Sequence, residues 1–323
     1  MEYTNTPKSQ IKEKVKLSGT KNNKKVILAI KNDYGLYLLL FIPMIFLFLF
    51  SYKPMYGLII AFMDYDVVRG FADSTWIGLD VFKEIFSSKE FFKVLRNTLL
   101  LNGLDLITGF PAPIILAILL NEVRKKWFKR VSQTLLYMPY FLSWVIVAGI
   151  MYQLLSPQTG LINILINNVG GKSIPFLTDK LLWVVSYNAI GIWQSAGWGT
   201  IIYLAAITGI NGELYEAAIV DGAGRLRKIW HITLPGIRPT IIALLIINLG
   251  RIMASSFDRP YTLSNPMVMD YADVISTYVY RAGLQSVRYN LATAVGLFQS
   301  VIGFVLVLVS NFIAKKSGES GIY

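Results

Sequence analysis

The residues that could do chemistry are concentrated in one polar segment, residues 215–239, between two long apolar runs. It holds two acids, four bases, three glycines and the only histidine of the chain. His231 has no partner at metal-ligand spacing, so we interpret it as a cap or contact residue. The sequence contains no cysteine, which excludes thiolate chemistry, disulfides and cysteine metal sites. The chemistry left for this segment is recognition through an exposed carboxylate.

One other short pattern, GGKS at residues 170–173, has the ending of a phosphate-binding loop. Such a loop needs a glycine five residues before its second glycine, and position 166 is isoleucine. We therefore predict no nucleotide site on this chain. A membrane enzyme would need a cluster of catalytic side chains, and the acids here are scattered in loops.

The pattern of the polar segment predicts two short helices joined by a glycine turn. Asn211 can cap the first helix, and Glu213 lies in its first turn, where the helix dipole favours an acid. Gly222 can adopt the positive φ that ends a helix. We expect Pro235 to end the second helix because proline has no backbone donor. Pro239 would then suit the first turn of the next apolar helix.

The first of these helices is predicted to present a small, apolar face. Tyr215, Ala218 and Ile219 share one side at helical spacing. A surface without a core of its own favours a protein partner, and burying Tyr215 and Ile219 in a groove would contribute about 1.5–3 kcal/mol each. The alternative is an amphipathic loop that lies on the bilayer.

The rest of the chain has the composition of a polytopic membrane protein. Hydrophobic residues make up 54% of the 323 residues and charged residues 15%, against roughly 25% charged in average soluble chains. A span needs about 20 apolar residues, and long continuous runs predict helices. The fold class is therefore all-α, with six transmembrane helices. The predicted spans are residues 35–52 (with an extension to 62), 97–120, 133–155, 181–209, 240–258 and 292–314.

Basic residues indicate the orientation of these spans. They are concentrated before the first span, in EVRKKWFKR between spans two and three, in the polar segment and after the last span. The positive-inside rule then places both termini in the cytoplasm. The net charge of +12 is an orientation signal, and we expect no nucleic-acid partner. The predicted regions are a cytoplasmic basic tail at 1–33, a six-span domain at 34–316 whose cytoplasmic loop covers 211–239, and a cytoplasmic tail at 317–323.

Polar residues inside the spans are candidates for a transport pathway. Asp105 and Arg251 are the two charges predicted within the membrane, where an isolated charge costs about 3 kcal/mol or more, so we expect them to pair, directly or through the cavity. Two prolines in GFPAP, residues 109–113, interrupt the second span; such breaks often line cavities, although an ordinary kink is the alternative. Small-residue stripes can instead serve helix packing. The pathway candidates are Tyr187, Trp193, Gln194, Trp198, Asn248, Arg251 and Gln299.

Residues 216–239, EAAIVDGAGRLRKIWHITLPGIRP, closely resemble the EAA loop of permease subunits of ABC importers. The family pattern runs Glu-Ala-Ala, two residues, Asp-Gly-Ala, and later Ile-x-Leu-Pro and a further Pro. The matching residues are Glu216, Ala217, Ala218, Asp221, Gly222, Ala223, Ile232, Leu234, Pro235 and Pro239. Other segments, among them STWIGLDVF, FPAPIILAILLNE and YMPYFLSWV, resemble the oligosaccharide class and its polysaccharide-type, LplB-like subgroup. Tyr140 and Gln194 depart from that subgroup, which commonly has His and Lys there.

The resemblance implies a type I ABC importer permease fold and a role in coupling rather than catalysis. It implies no cofactor or metal on this chain, with ATP and Mg on a separate ATPase, where Glu216 would pair with a basic group. The implied partners are a second homologous permease, two ATPase subunits, an extracellular lipoprotein sugar-binding protein and the lipid bilayer. The implied coupling residues are Tyr215, Glu216, Ala217, Ala218, Asp221, Gly222, Ala223, Leu234 and Pro235.

The function expected from this resemblance is half of the translocation pathway of an ATP-driven, binding-protein-dependent importer of oligosaccharides. A permease for a different small solute is one alternative. A secondary transporter is another; it predicts transport without ATP and inverted internal repeats, and the sequence has no clear repeat.

Overall fold

The computed structural model describes residues 33–254, 256–316 and 318. The predicted basic tail, apart from Asp33, and the predicted C-terminal tail, apart from Gly318, lie outside the described residues. The chain divides into two units, Met1–Leu58 and Ile59–Tyr323. In the described part of the first unit, a helix begins at Tyr34 and includes a wide turn at Phe48–Tyr52.

The described chain is almost entirely helical, with one short antiparallel hairpin in which Met63 pairs with Trp76. In chain order its elements are α1 (Tyr34–Phe62), β1 (Met63–Asp64), β2 (Thr75–Trp76), α2 (Asp80–Ser87), α3 (Lys89–Glu122), α4 (Lys126–Phe141), α5 (Trp144–Leu155), α6 (Leu161–Asn168), α7 (Lys180–Thr208), α8 (Gly212–Val220), α9 (Arg225–Gly250), α10 (Asp258–Leu263), α11 (Met269–Ala272), α12 (Ile275–Tyr280) and α13 (Tyr289–Lys316).

Five of these helices, α1, α3, α7, α9 and α13, are long and apolar enough to cross a membrane. The fifth predicted span, residues 240–258, has the wrong bounds, because α9 begins at Arg225 and ends at Gly250. The third predicted span, residues 133–155, is wrong as one straight helix, because the chain bends by 105° between α4 and α5. Pro139 supplies no backbone donor there, and Leu142 and Ser143 are extended. The Ser143 side chain then accepts the N–H of Ile146 and caps α5. The number of spans is six if this bent pair counts as one.

Wide, π-helical turns accommodate the prolines of α3 and α9. In α3 the turn covers Asp105–Gly109 and precedes Pro111; in α9 it covers Ile229–Thr233 and precedes Pro235. The backbone hydrogen bonds of such a turn join residues five apart instead of four. The helix therefore continues although proline lacks a backbone donor. The expectation that Pro235 ends a helix is therefore wrong. Pro239 also lies inside a helix rather than in its first turn.

The second unit packs around α7, whose Trp183 is completely buried. The indole Nε1 of Trp183 donates to the backbone oxygen of Leu263 at 2.8 Å, which ties α7 to α10. Trp183 belongs to a core cluster with Leu101 of α3 and Val147 of α5. Lipid tails are as apolar as these side chains, so close packing and hydrogen bonds, rather than removal from water, hold the spans together.

Helices α9 and α13 cross in backbone contact at two glycines. A Cβ on Gly250 would lie 2.2 Å from Cγ2 of Val307, and a Cβ on Gly303 would lie 2.6 Å from the backbone oxygen of Gly250. Both distances are far below ordinary contact, so neither position has room for a side chain. The small-residue stripe of the last span therefore serves packing at Gly303.

Candidate functional site

The first part of the site is α8, a surface helix defined at both ends by its own sequence. The side-chain oxygen of Asn211 accepts the N–H of Glu213 at 3.0 Å, as predicted for an N-cap. At the other end Gly222 has φ +72°, which confirms the predicted positive φ. The N–H of Ala223 donates to the backbone oxygen of Ala218 at 2.8 Å. This hydrogen bond is typical of a helix that ends at a glycine with positive φ.

Helix α8 presents a carboxylate and apolar side chains to the surroundings. Glu216 and Asp221 are exposed, and Ile219 and Val220 are 60% and 87% exposed. Tyr215, a predicted coupling residue, is partly buried, and its hydroxyl is 3.0 Å from the Thr233 hydroxyl of α9. Of the remaining predicted coupling residues, Ala217, Gly222 and Pro235 are exposed and Ala218, Ala223 and Leu234 are partly buried.

The start of α9 is attached to the bundle beside α8. Arg225 lies 4.0 Å from Glu122 at the end of α3. The Nδ1 atom of His231 is 3.0 Å from the backbone oxygen of Arg227, which agrees with a contact residue. No group of side chains in the described ranges could hold a metal ion. Tyr215 therefore connects α8 to α9, and Arg225 brings the start of α9 close to α3.

The second part of the site is a cavity of about 560 Å³ among α3, α4, α7, α9 and α10, with both polar and apolar groups in its wall. Its wall includes the charged residues Asp105, Arg251 and Arg259 and the amides Asn102 and Asn248. The wide turn of α3 lies beside it, and Gly109, Phe110 and Pro113 of the GFPAP break line the cavity, so this break is more than an ordinary kink.

Two aromatic rings stack on each other in the cavity wall. Tyr140 of α4 and Trp198 of α7 stack with ring centroids 4.7 Å apart and planes 4° from parallel. Phe141 meets Trp198 edge-on at 5.8 Å. Nε2 of Gln194 lies 3.4 Å from the backbone oxygen of Tyr140. The two residues that depart from the resembled subgroup are therefore in contact with each other.

The structure separates the predicted pathway residues into three groups. Trp198, Asn248 and Arg251 line the cavity. Gln299 instead lines an adjoining groove of about 800 Å³ between α9 and α13. The others are not among the residues that line either space: Tyr187 and Gln194 are buried, and Trp193 is 43% exposed.

The direct pairing predicted for Asp105 and Arg251 is wrong, because Asp105 pairs with Arg259, although Asp105 and Arg251 line the same cavity. Nη1 of Arg259 donates to Oδ2 of Asp105 at 2.6 Å, and Nη2 donates to Oδ1 at 3.2 Å. Arg259 is the second residue of α10, one residue beyond the predicted end of the fifth span. Its position in the sequence is in a predicted loop, so it was not a candidate; in the fold, Arg259 of α10 contacts Asp105 of α3 and Tyr187 of α7.

Several contacts hold this ion pair in place. Nη2 of Arg259 also donates to the backbone oxygen of Tyr187 at 2.7 Å, and the guanidinium lies 3.8 Å from the Tyr187 ring centroid. Asn188 donates to Asp105 at 3.0 Å. A Cβ on Gly191 would lie 2.1 Å from Nη2 of Arg259, so only glycine leaves room for the guanidinium. Glycine at this position was the sequence signal for a large group packed there.

Known proteins resemble this chain over most of its length. Protein LplB of Bacillus subtilis (strain 168) is 47% identical over 91% of this chain and 93% of its own. The polygalacturonan/rhamnogalacturonan transport system permease protein YteP of the same organism is 46% identical over 93% of this chain and 94% of its own.

A solved structure and a family model agree with these relatives. A chain in the crystal structure of a bacterial alginate ABC transporter, in complex with alginate pentasaccharide-bound periplasmic protein, matches with a TM-score of 0.83 and 43% identity over 91% of this chain and 98% of that one. The family model described as binding-protein-dependent transport system inner membrane component matches residues 109–317. The chain therefore belongs to this family of permease components of ABC importers.

Proposed function

We propose that this permease imports oligosaccharides released from polysaccharides and forms half of their pathway. The names of the relatives support this substrate class, since one transports polygalacturonan or rhamnogalacturonan and another alginate. The cavity has the groups that sugars require. Tyr140 and Trp198 offer an aromatic face for a sugar ring, and Asn102 and Asn248 offer amides for hydroxyls.

The observation that carries the proposal is the glycine-terminated helix α8 with its exposed carboxylate. Glu216, Ile219 and Val220 have no core of their own to pack into. A groove on an ATPase subunit would bury Ile219 and Val220, and a basic residue in it would pair with Glu216. Binding and hydrolysis of ATP would move α8, and the contacts of Tyr215 and Arg225 would pass that movement to α9 and α3.

The proposed assembly contains a second homologous permease, two ATPase subunits and an extracellular lipoprotein that delivers the sugar. ATP and Mg are bound by the ATPase subunits, and this chain has no catalytic role. Both termini and α8 lie on the cytoplasmic side of the bacterial membrane. The concentration of basic residues on that side supports this orientation.

Charge reversal on α8 tests the docking proposal. Glu216→Lys should leave membrane insertion intact and lower the affinity for the ATPase about 100-fold, because a docked charge pair is replaced by repulsion. The measurement is the amount of ATPase that co-purifies in detergent at a series of salt concentrations. Glu213→Lys is the control, with the same charge change in the first turn of the same helix. Full retention of the ATPase by Glu216→Lys would refute docking through this carboxylate.

Uptake by reconstituted vesicles separates this function from a secondary transporter. Vesicles that hold the complete assembly should accumulate oligosaccharide only when ATP and the binding protein are supplied. Vesicles that hold this chain alone should accumulate none. Accumulation by the chain alone without ATP would contradict the proposed function and support the secondary transporter.

A further inference from the structure

We propose that Arg251 recognises carboxylate groups on the transported sugar, so that the pathway prefers oligosaccharides containing uronic acids. This inference rests on the proposed function, because it requires the sugar to pass through the cavity. Arg251 is exposed and lines both the cavity and the adjoining groove. Among the described residues it forms no ion pair with an acid, whereas Arg259 has Asp105.

The charges in the cavity wall do not cancel. Three ionisable side chains with a full charge line it, and the bidentate contact between Arg259 and Asp105 neutralises two of them. Arg251 leaves one positive charge facing the space. In a cavity whose wall is partly apolar such a charge acts more strongly than it would in bulk water, and it attracts anions.

The backbone around Arg251 is built to hold it at this position. Helix α9 ends at Gly250, and the following turn is not helical. Nδ2 of Asn102, from α3, donates to the oxygen of Ile252 at 2.6 Å. Nε2 of Gln299, from α13, donates to the oxygen of Met253 at 2.7 Å. Non-helical backbone at membrane depth is tolerated where other groups satisfy it and where it lines a cavity.

The groups near Arg251 fit one chemical class of ligand. A guanidinium can bind a carboxylate with two parallel hydrogen bonds. Asn248, near the end of α9, is exposed to the same cavity, and the stacked rings of Tyr140 and Trp198 lie in its wall. A uronic acid presents a carboxylate, hydroxyls and an apolar ring face together. A neutral sugar would leave Arg251 without a partner.

The test compares an acidic sugar with its neutral counterpart on the purified complex of this chain, the second permease and the ATPases. Omitting the binding protein keeps its own selectivity out of the measurement. Titration calorimetry with trigalacturonate and with carboxyl-reduced trigalacturonate should give about tenfold tighter binding of the acid. Arg251→Gln should abolish this preference, and Arg251→Lys should retain only part of it, since lysine keeps the charge but lacks the paired donors of the guanidinium.

Controls separate recognition from a structural role. Arg288→Gln removes one arginine that pairs with Glu84 outside the cavity, and it should leave the preference unchanged. An equal loss of affinity for both sugars in Arg251→Gln would mean that Arg251 only balances the dipole at the end of α9. That result would overturn the proposal. Lack of preference in the wild-type complex, including failure to bind either sugar, also overturns it. If that complex still imports oligosaccharides with ATP, the proposed function survives.

Discussion

At the residue scale, the ion pair between Asp105 and Arg259 is the feature that the cavity wall depends on most. The Arg259 side chain is only 10% exposed and that of Asp105 is 31% exposed. The pair receives further support from Asn188 and Tyr187. Removing either partner leaves a poorly solvated charge, whereas removing both leaves a neutral site of similar shape.

A double-mutant cycle tests this dependence. Asp105→Asn and Arg259→Met should each destabilise the folded chain by about 3–5 kcal/mol, and the double variant should recover much of that loss because no charge remains unpaired. The measurement is unfolding of the detergent-solubilised chain by denaturant. Strictly additive losses in the double variant would contradict a direct pairing.

Gly222 allows a second residue-scale test because it separates backbone strain from crowding. A Cβ at Gly222 meets nothing within 4 Å, so a substitution there acts only through the φ of +72°. Gly222→Ala should weaken the free energy of binding to the ATPase by about 1–2 kcal/mol. Gly222→Asn should weaken it less, since asparagine adopts this backbone conformation more readily. The measurement is the affinity of the purified permease for the ATPase.

The matched control is Gly224, where a Cβ would also meet nothing within 4 Å but the backbone φ is −66°. Gly224→Ala should therefore leave the affinity unchanged. An equal loss in both alanine variants would show that side-chain bulk, rather than the left-handed backbone, limits docking.

At the element scale, the crossing of α9 and α13 depends on Gly250 and Gly303. Gly250→Ala should force the helices apart or push Val307 aside and destabilise the chain by about 1–3 kcal/mol. Thermal denaturation in detergent measures the loss. Gly296→Ala, also on α13, is the control because a Cβ there meets nothing within 4 Å. Equal denaturation midpoints for Gly250→Ala and the wild type would contradict the close crossing.

Helix α11 is tied to α3 and α7 by a carboxylate, and this contact should respond to pH. Asp270 accepts hydrogen bonds from Lys180 and Lys93, and these contacts, Lys180 first, lower the pKa of Asp270 to about 2 from its usual 3.8. The lowered pKa means that the contact stabilises the fold fully above about pH 4. This stabilisation is lost as the pH falls from about 4 towards 2.

Asp270→Asn tests the sign of this dependence. It should lower the thermal midpoint at about pH 6, and its difference from the wild type should shrink as the pH falls below about 4. Asp80→Asn, at an exposed pair with Lys83 within one helix, is the control for a general surface charge. A difference that grows on acidification would contradict the lowered pKa of Asp270.

At the scale of the whole molecule, orientation can be tested directly because the natural chain has no cysteine. Single cysteines can be placed at Val220, on α8, and at Val68, in the hairpin loop, which are 87% and 94% exposed respectively. A membrane-impermeant thiol reagent applied to intact cells stripped of their outer layers should label Val68→Cys. Val220→Cys should be labelled only after the membrane is opened. Labelling of Val220→Cys in intact cells would overturn the proposed topology.

The sequence by itself determined those features that depend on local chemistry. Helix length follows from apolar run length, and the ends of α8 follow from an N-cap at Asn211 and a glycine at 222. These are short-range effects of backbone geometry and solvation, so neighbouring residues suffice to predict them. The polar character of the second span near Asp105 was visible for the same reason.

Only the tertiary structure decided which distant groups meet. Arg259 replaced Arg251 as the partner of Asp105 because α10 packs back against α3 and α7, a placement that no local spacing encodes. The same packing left Arg251 facing the cavity and enclosed Tyr187 and Gln194 within the bundle. Lipid tails solvate every apolar helix equally well, so the hydrophobic effect does not select which helices pack together. Steric fit at glycines and a small number of polar contacts select them.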